Sequence, residues 1–337
     1  MLRLLARRLA AALPTLAGVV VVTFLMTRAL PGDPAAYFAG PAATREAVEE
    51  IRRQLGLDKP LWVQFGRYLA DLARGDLGIS ITTGQPVLAD IAQRLAASAE
   101  LTLLGLLFAA GCGIPMGVAA ALRPNSWVDH LCRVLATAGV SLPTFFTGLL
   151  LIYVFYYVLG WAPAPLGRLD AFSSPPPHVT GFYLIDSLLA GERETFGAAA
   201  GQLALPALTL GIFALAPMGR MTRGAMLAVM SSDFIRAARA SGLAGRTIVV
   251  RYALRNALLP IVTTLGMVLS FLLGANVLVE KVFAWPGIGS YAVEALIASD
   301  YAPVQGFVMT MAVLYVALNF LIDLAYQAID PRVRIEA

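Results

Sequence analysis

The chain has 337 residues, of which 58% are hydrophobic and 14% charged, against roughly a quarter charged in an ordinary soluble domain. Its mean hydropathy is +0.74 and its apolar residues come in long uninterrupted runs, which excludes a soluble globular protein. The net charge of +4 does not point to nucleic acid, because the basic residues cluster beside those runs, where they report membrane topology.

In chain order, Arg3, Arg7 and Arg8 precede the first charge-free run, Leu9 to Thr27. That run is longer than the apolar region of a signal peptide, and Met26-Thr27-Arg28-Ala29-Leu30-Pro31 makes a poor cleavage site. Residues 1–29 are therefore expected to hold an uncleaved first membrane helix. Residues 30–97 are long enough to fold. Within them Thr44 to Leu55 places Val48, Ile51 and Leu55 on one helical face. Glu46, Glu49 and Glu50 near its start suit the helix dipole. A second amphipathic stretch runs from Leu61 to Leu72, before a glycine-rich turn at Arg74-Gly75-Asp76-Leu77-Gly78.

Five more charge-free runs follow: Leu101 to Leu122, Val134 to Leu166, Phe196 to Gly219, Asn256 to Val279 and Tyr301 to Ile322. Each reaches the roughly 20 residues that a membrane-crossing helix needs, so residues 98–337 are read as the remaining spans. The fold class expected is an all-α integral membrane protein with six transmembrane helices. The run from Val134 exceeds one crossing, so its Trp161-Ala162-Pro163-Ala164-Pro165 end is expected to leave the bilayer. Pro14, Pro115, Pro143 and Pro206 fall inside runs, where neighbouring helices satisfy freed backbone groups. Gly105, Gly111, Gly113 and Gly117 imply close helix contact. Cys112 and Cys132 lack metal-ligand spacing and are read as small buried hydrophobes.

Charge distribution orients these spans. Lys and Arg accumulate on the cytoplasmic side. The segment 220–255 carries Arg220, Arg223, Arg236, Arg239, Arg246, Arg251 and Arg255 against Asp233 alone. Arg332 and Arg334 lie in the tail, whereas residues 167–195 hold Asp170, Asp186, Glu192 and Glu194 against Arg168 and Arg193. Both ends of the chain and 220–255 are accordingly expected in the cytoplasm, and 30–97 and 167–195 outside it.

No catalytic constellation stands out. Lys59 and Lys281 lack the context of a phosphate-cradling loop, and His130 and His178 lie far apart. Glu100, Glu280 and Asp323 fall at span edges, where snorkelling lowers their cost. Asn319 and Asp323, at i,i+4 spacing, are read as a polar contact between helices.

The stretch Ser231-Ser232-Asp233-Phe234-Ile235-Arg236-Ala237-Ala238-Arg239-Ala240-Ser241-Gly242-Leu243 is the most informative. It reads as a short amphipathic helix stopped at Gly242. Small Ala237, Ala238 and Ala240 permit close approach to another protein, and arginines can pair with that protein's acids. A solvated basic loop is the alternative on these grounds alone.

Arg236-Ala237-Ala238, followed after three residues by Gly242, resembles the cytoplasmic loop motif of importer permeases of ATP-binding-cassette systems. In the wider superfamily the motif begins with Glu, and Arg236 is similar to the peptide-permease variant. Other stretches agree in order along nearly the whole chain: Leu30-Pro31-Gly32-Asp33-Pro34; Leu55-Gly56-Leu57-Asp58-Lys59-Pro60; Arg74 to Gly78; Leu254-Arg255-Asn256-Ala257; Glu280 to Gly289; and Asp330-Pro331-Arg332. Residues 180–189 look like an insertion of dipeptide-type members.

The resemblance implies a type I importer permease fold in a bacterial inner membrane, as the first of two paired dipeptide or oligopeptide permeases. It implies partners: a second homologous permease, two ABC ATPase subunits, a periplasmic or lipid-anchored substrate-binding protein, and membrane lipid. The chain itself would bind no cofactor, ATP and Mg being used by the ATPases. Asp233, Arg236, Ala237, Ala238, Arg239, Ala240, Ser241, Gly242 and Leu243 would form the helix that couples to an ATPase. Ser141, Pro143, Phe145, Phe146 and Asn276 are candidates to line the translocation path. Glutathione, haem, nickel chelate or longer peptides are alternative cargoes on the same fold. A channel or intramembrane hydrolase is the alternative of another class.

Overall fold

A computed structural model describes residues 2–29, 34–40, 43–54 and 56–329. The described residues are mostly helical: α1 (Leu2–Ala29), α2 (Pro34–Ala39), α3 (Arg45–Gln54), α4 (Leu61–Ala73), α5 (Val87–Leu122), α6 (Trp127–Ser141), α7 (Thr144–Leu151), α8 (Tyr183–Ala190), α9 (Arg193–Met230), α10 (Asp233–Ala240), α11 (Gly245–Thr247), α12 (Arg255–Val282), α13 (Ile288–Ile297) and α14 (Tyr301–Ile329). Wider π turns at Ile152–Val158 and Ile248–Leu254 continue α7 and lead into α12. Four helices, Val87–Leu122, Arg193–Met230, Gly245–Gly274 and Tyr301–Ala325, are long and apolar enough to cross a membrane.

Two runs differ from the sequence reading. The one beginning at Val134 is two helices, Trp127–Ser141 and Thr144–Val158, meeting at 102°. The break falls at Leu142, whose extended backbone precedes Pro143, as the steric clash with a proline ring favours. Counted as one span, this bent pair is the fifth. The other difference is α9, which continues beyond Gly219 as far as Met230, so Arg220 and Arg223 sit on a helix rather than in a loop.

The chain forms two compact units. In the first, Met1–Leu95 with Gly287–Ala317, α3 and α4 occupy the stretches where the periodicity places them. Thr44 caps α3 by accepting from the Ala47 amide. Phe65 of α4 packs edge-on to Phe24 of α1, with centroids 5.1 Å apart. A small core of Val87, Ile91, Ile288 and Tyr291 lies against Leu77 and Phe307. The Asp300 carboxylate, buried here, accepts from the Ser80 hydroxyl and the Thr82 amide, which ties the 80–82 turn to the start of α14.

The second unit comprises Ala96–Pro286 and Leu318–Ala337. Its core holds Leu101, Leu210, Met218, Met226, Ile261, Leu272 and Val279 from α5, α9 and α12. The glycines of α5 act as the sequence implies at Gly105, Gly113 and Gly117, but Gly111 has open space beside it. A methyl group at Gly117 would lie 2.6 Å from Thr222 Cβ and 2.7 Å from the Gly219 carbonyl oxygen. The α5–α9 seam therefore closes to backbone contact, the small-residue mode of membrane helix association. Cys112 is exposed and Cys132 half-buried, which corrects the expectation that both are buried.

Candidate functional site

The eight residues of α10 stand between the end of α9 and the π turn that begins α12. Asp233 occupies the first turn, where a carboxylate suits the partial positive charge of the amide end, and its side chain pairs with Arg236. The other end closes with a Schellman motif: the Leu243 amide donates to the Ala238 carbonyl and the Gly242 amide to the Arg239 carbonyl. Gly242 makes this closure possible because its φ is +75°, a conformation that a Cβ penalises.

Only one edge of α10 is anchored. Ile235 and Ala238, at i,i+3 spacing, are buried in the core cluster that also contains Met226, Ile248 and Ala253. Asp233, Phe234, Arg236, Ala237, Arg239, Ala240, Ser241, Gly242 and Leu243 are exposed. Except for Ala238, which packs inward, the sequence-predicted coupling residues thus form one outward surface. It combines two guanidinium groups, two alanines that allow close approach and a half-exposed phenyl ring. This surface can receive a protein cleft with acidic rims.

The candidate path residues fall into two environments. Ser141, Pro143, Phe145 and Phe146 are exposed around the α6–α7 bend; the Ser141 hydroxyl donates to the Thr137 carbonyl. Asn276 is elsewhere, 1% exposed, and its amide donates to Thr102 Oγ1 and the Ser98 carbonyl. Ser98 in turn donates to Glu280, so this polar cluster holds α5 against α12.

Two ion pairs escaped sequence reading. Arg223 of α9 grips Asp129 of α6 with two bonds, Nε to Oδ1 at 2.6 Å and Nη2 to Oδ2 at 2.7 Å. Arg168 donates at 2.7 Å to Glu100 of α5, and the other Glu100 oxygen accepts from the Leu184 amide. The Arg168 guanidinium also lies 3.4 Å from the centroid of the Tyr183 ring and bonds the Gly181 carbonyl. These partners are 94 and 68 residues apart, beyond the reach of any local pattern. Asp186 caps the neighbouring turn, accepting from the Val179, Thr180 and Gly181 amides and the Thr180 hydroxyl. Burial raises the Asp186 pKa, but those donors outweigh it and hold the carboxyl below the usual aspartate range.

Comparison with known proteins defines the class. The fold is shared with the MetNI methionine ABC transporter in its inward-facing CY5 native crystal form, which aligns with a TM-score of 0.54 at 18% identity, covering 71% of this chain and 96% of that one. The chain belongs to the family of binding-protein-dependent transport system inner membrane components, whose model matches residues 113–335, and the companion N-terminal model matches residues 1–102. It is 50% identical over 317 residues to the probable D,D-dipeptide transport system permease protein DdpB of Escherichia coli (strain K12), covering 94% of this chain and 93% of the relative. It is 39% identical to the dipeptide transport system permease protein DppB of Alkalihalophilus pseudofirmus, covering 97% and 98%. The chain is thus an inner-membrane transport subunit that works with ATPase and substrate-binding partners rather than an enzyme.

Proposed function

We propose that this chain forms one half of the transmembrane path of an ATP-driven importer of dipeptides or short oligopeptides, with α10 as the helix that receives the ATPase stroke. The observation that carries the reading is α10 itself: two arginines and two alanines on an exposed surface, anchored by Ile235 and Ala238 and ended by a fixed turn. Peptide cargo is supported by the relatives, both named for dipeptide transport.

In this reading α1 is the sixth span. The basic segments, including α10, lie in the cytoplasm, and residues 30–97 and 167–195 lie outside it. Six helices are few to enclose a peptide, so a second homologous permease supplies the facing wall, and two ATPases dock beneath. Bilayer lipid surrounds the remaining faces. ATP with Mg closes the ATPases, α10 moves with them, and a binding protein releases its cargo into the reopened cavity. The exposed side chains at the α6–α7 bend, Ser141, Pro143, Phe145 and Phe146, line that cavity, while Asn276 keeps α5 and α12 in register.

Affinity purification of the chain from its native membrane, followed by mass spectrometry, tests the reading. Recovery of a second permease of this family with one or two ATPases is expected. Recovery of the chain alone, in detergents that keep other importers intact, would refute it.

A further inference from the structure

A groove of about 620 Å³ runs along the second unit where α6, α9 and α12 diverge. Phe213 and Phe271 stack on its wall at 5.2 Å between centroids. Met221 and Met267 line it with 42% and 68% exposure. Apart from Thr264, whose hydroxyl donates to the Pro260 carbonyl, the sole polar lining side chain is that of Arg220. No carboxylate lies within ion-pair distance of Arg220 among the described residues.

That combination offers an anion a binding site. Arg220 lies ten residues before the end of α9, about 15 Å along the axis. Arg223, one turn further on, is paired with Asp129. Arg220 is exposed at the groove, so its guanidinium is accessible to an anion that enters. The remaining lining suits a visitor of variable shape, because thioethers and aromatic faces adapt to different apolar side chains.

Resting on the peptide reading above, we propose that this groove is the cytoplasmic-side holding site of the translocation path, with Arg220 receiving the free carboxylate of a short peptide and Met221, Met267 and Phe271 accepting its side chains. The occupant is the cargo. A lipid phosphate or an acidic residue of the second permease would satisfy the same guanidinium, and the test separates them.

The complete importer, reconstituted in proteoliposomes with its ATPases, second permease and binding protein, is given radiolabelled Ala-Ala. Wild-type uptake tests the peptide reading: absence of ATP-dependent uptake of any di- or tripeptide would overturn both that reading and the site. With uptake established, Arg220→Gln is expected to lower it about tenfold, the scale of one lost charge-assisted hydrogen bond, while binding-protein-stimulated ATP hydrolysis persists. Arg220→Lys is expected to retain most uptake. Unchanged uptake by Arg220→Gln, or loss of the second permease from the purified complex, would overturn the site. A second variant does not depend on that arginine. Met267→Cys, with Cys112→Ser and Cys132→Ser, should react with a membrane-impermeant thiol reagent from the cytoplasmic face, and saturating Ala-Ala should slow the reaction several-fold. No reaction, or a rate set by anionic lipid content and indifferent to Ala-Ala, would assign the groove to the partner or to lipid instead.

Discussion

The second unit uses charge in two opposite ways. Around residues 168–186 two ionic groups are buried among partners: Arg168 is enclosed by Glu100, Tyr183 and the Gly181 carbonyl, and Asp186 takes four donors. On α10 the guanidinium groups of Arg236 and Arg239 stand exposed, and the helix is held by two small apolar contacts. Buried pairs fix a shape that does not need to change. In the proposed coupling role, exposed arginines on a helix anchored along one edge would meet the acids of another chain.

The largest effect that would break this comparison comes from Gly242. Gly242→Asp meets no steric obstacle, so its cost within the chain is only the left-handed backbone, about 1–2 kcal/mol. Membrane insertion should survive, whereas uptake should fall to background as the ATPases fail to assemble. Normal uptake in proteoliposomes would remove α10 from the coupling role. Next comes Glu100→Ala, which strands the buried Arg168 charge at about 3–5 kcal/mol. A large fall in the detergent melting temperature should follow, and the double replacement Glu100→Leu with Arg168→Met should recover much of it.

A smaller loss is expected at the helix seam. Gly117→Ala forces the Thr222 side chain and the Gly219 and Arg223 backbones apart, an overpacking of about 1–3 kcal/mol, readable as lower resistance of the purified subunit to denaturant. The smallest effect concerns pH. Because the folded pKa of Asp186 is depressed, its stabilisation is present above the unfolded aspartate value and is lost as pH falls through the folded one. Protection factors of the Val179 to Gly181 amides should therefore drop in acid. Asp186→Asn should lower them at neutral pH and flatten the acid dependence.

How much of this was written locally varies by element. The helix of residues 45–54 and the glycine stop at 242 were legible because each rests on residues a few positions apart. The bend at Leu142 was hidden, since an unbroken apolar run carries no mark of where a helix turns; Pro143 alone does not distinguish a kink from a break. The extension of α9 past Gly219 was hidden for a different reason. Arg220 and Arg223 look like loop residues, yet one is neutralised by Asp129 of α6 and the other opens into a groove. At the α10 surface, residue types pointed to a partner-binding face; which of them turn inward required Ile235 and Ala238 to find Met226 and Ile248 in space.

The Schellman closure of α10 has one more consequence. Eight residues ended by a fixed turn make a rod about 12 Å long, and no register slip can lengthen it without undoing the Gly242 geometry. In the proposed assembly, the receiving ATPase must match that length. The closure then acts as a gauge, deciding which motor subunits can be exchanged between importers and which would idle against this one.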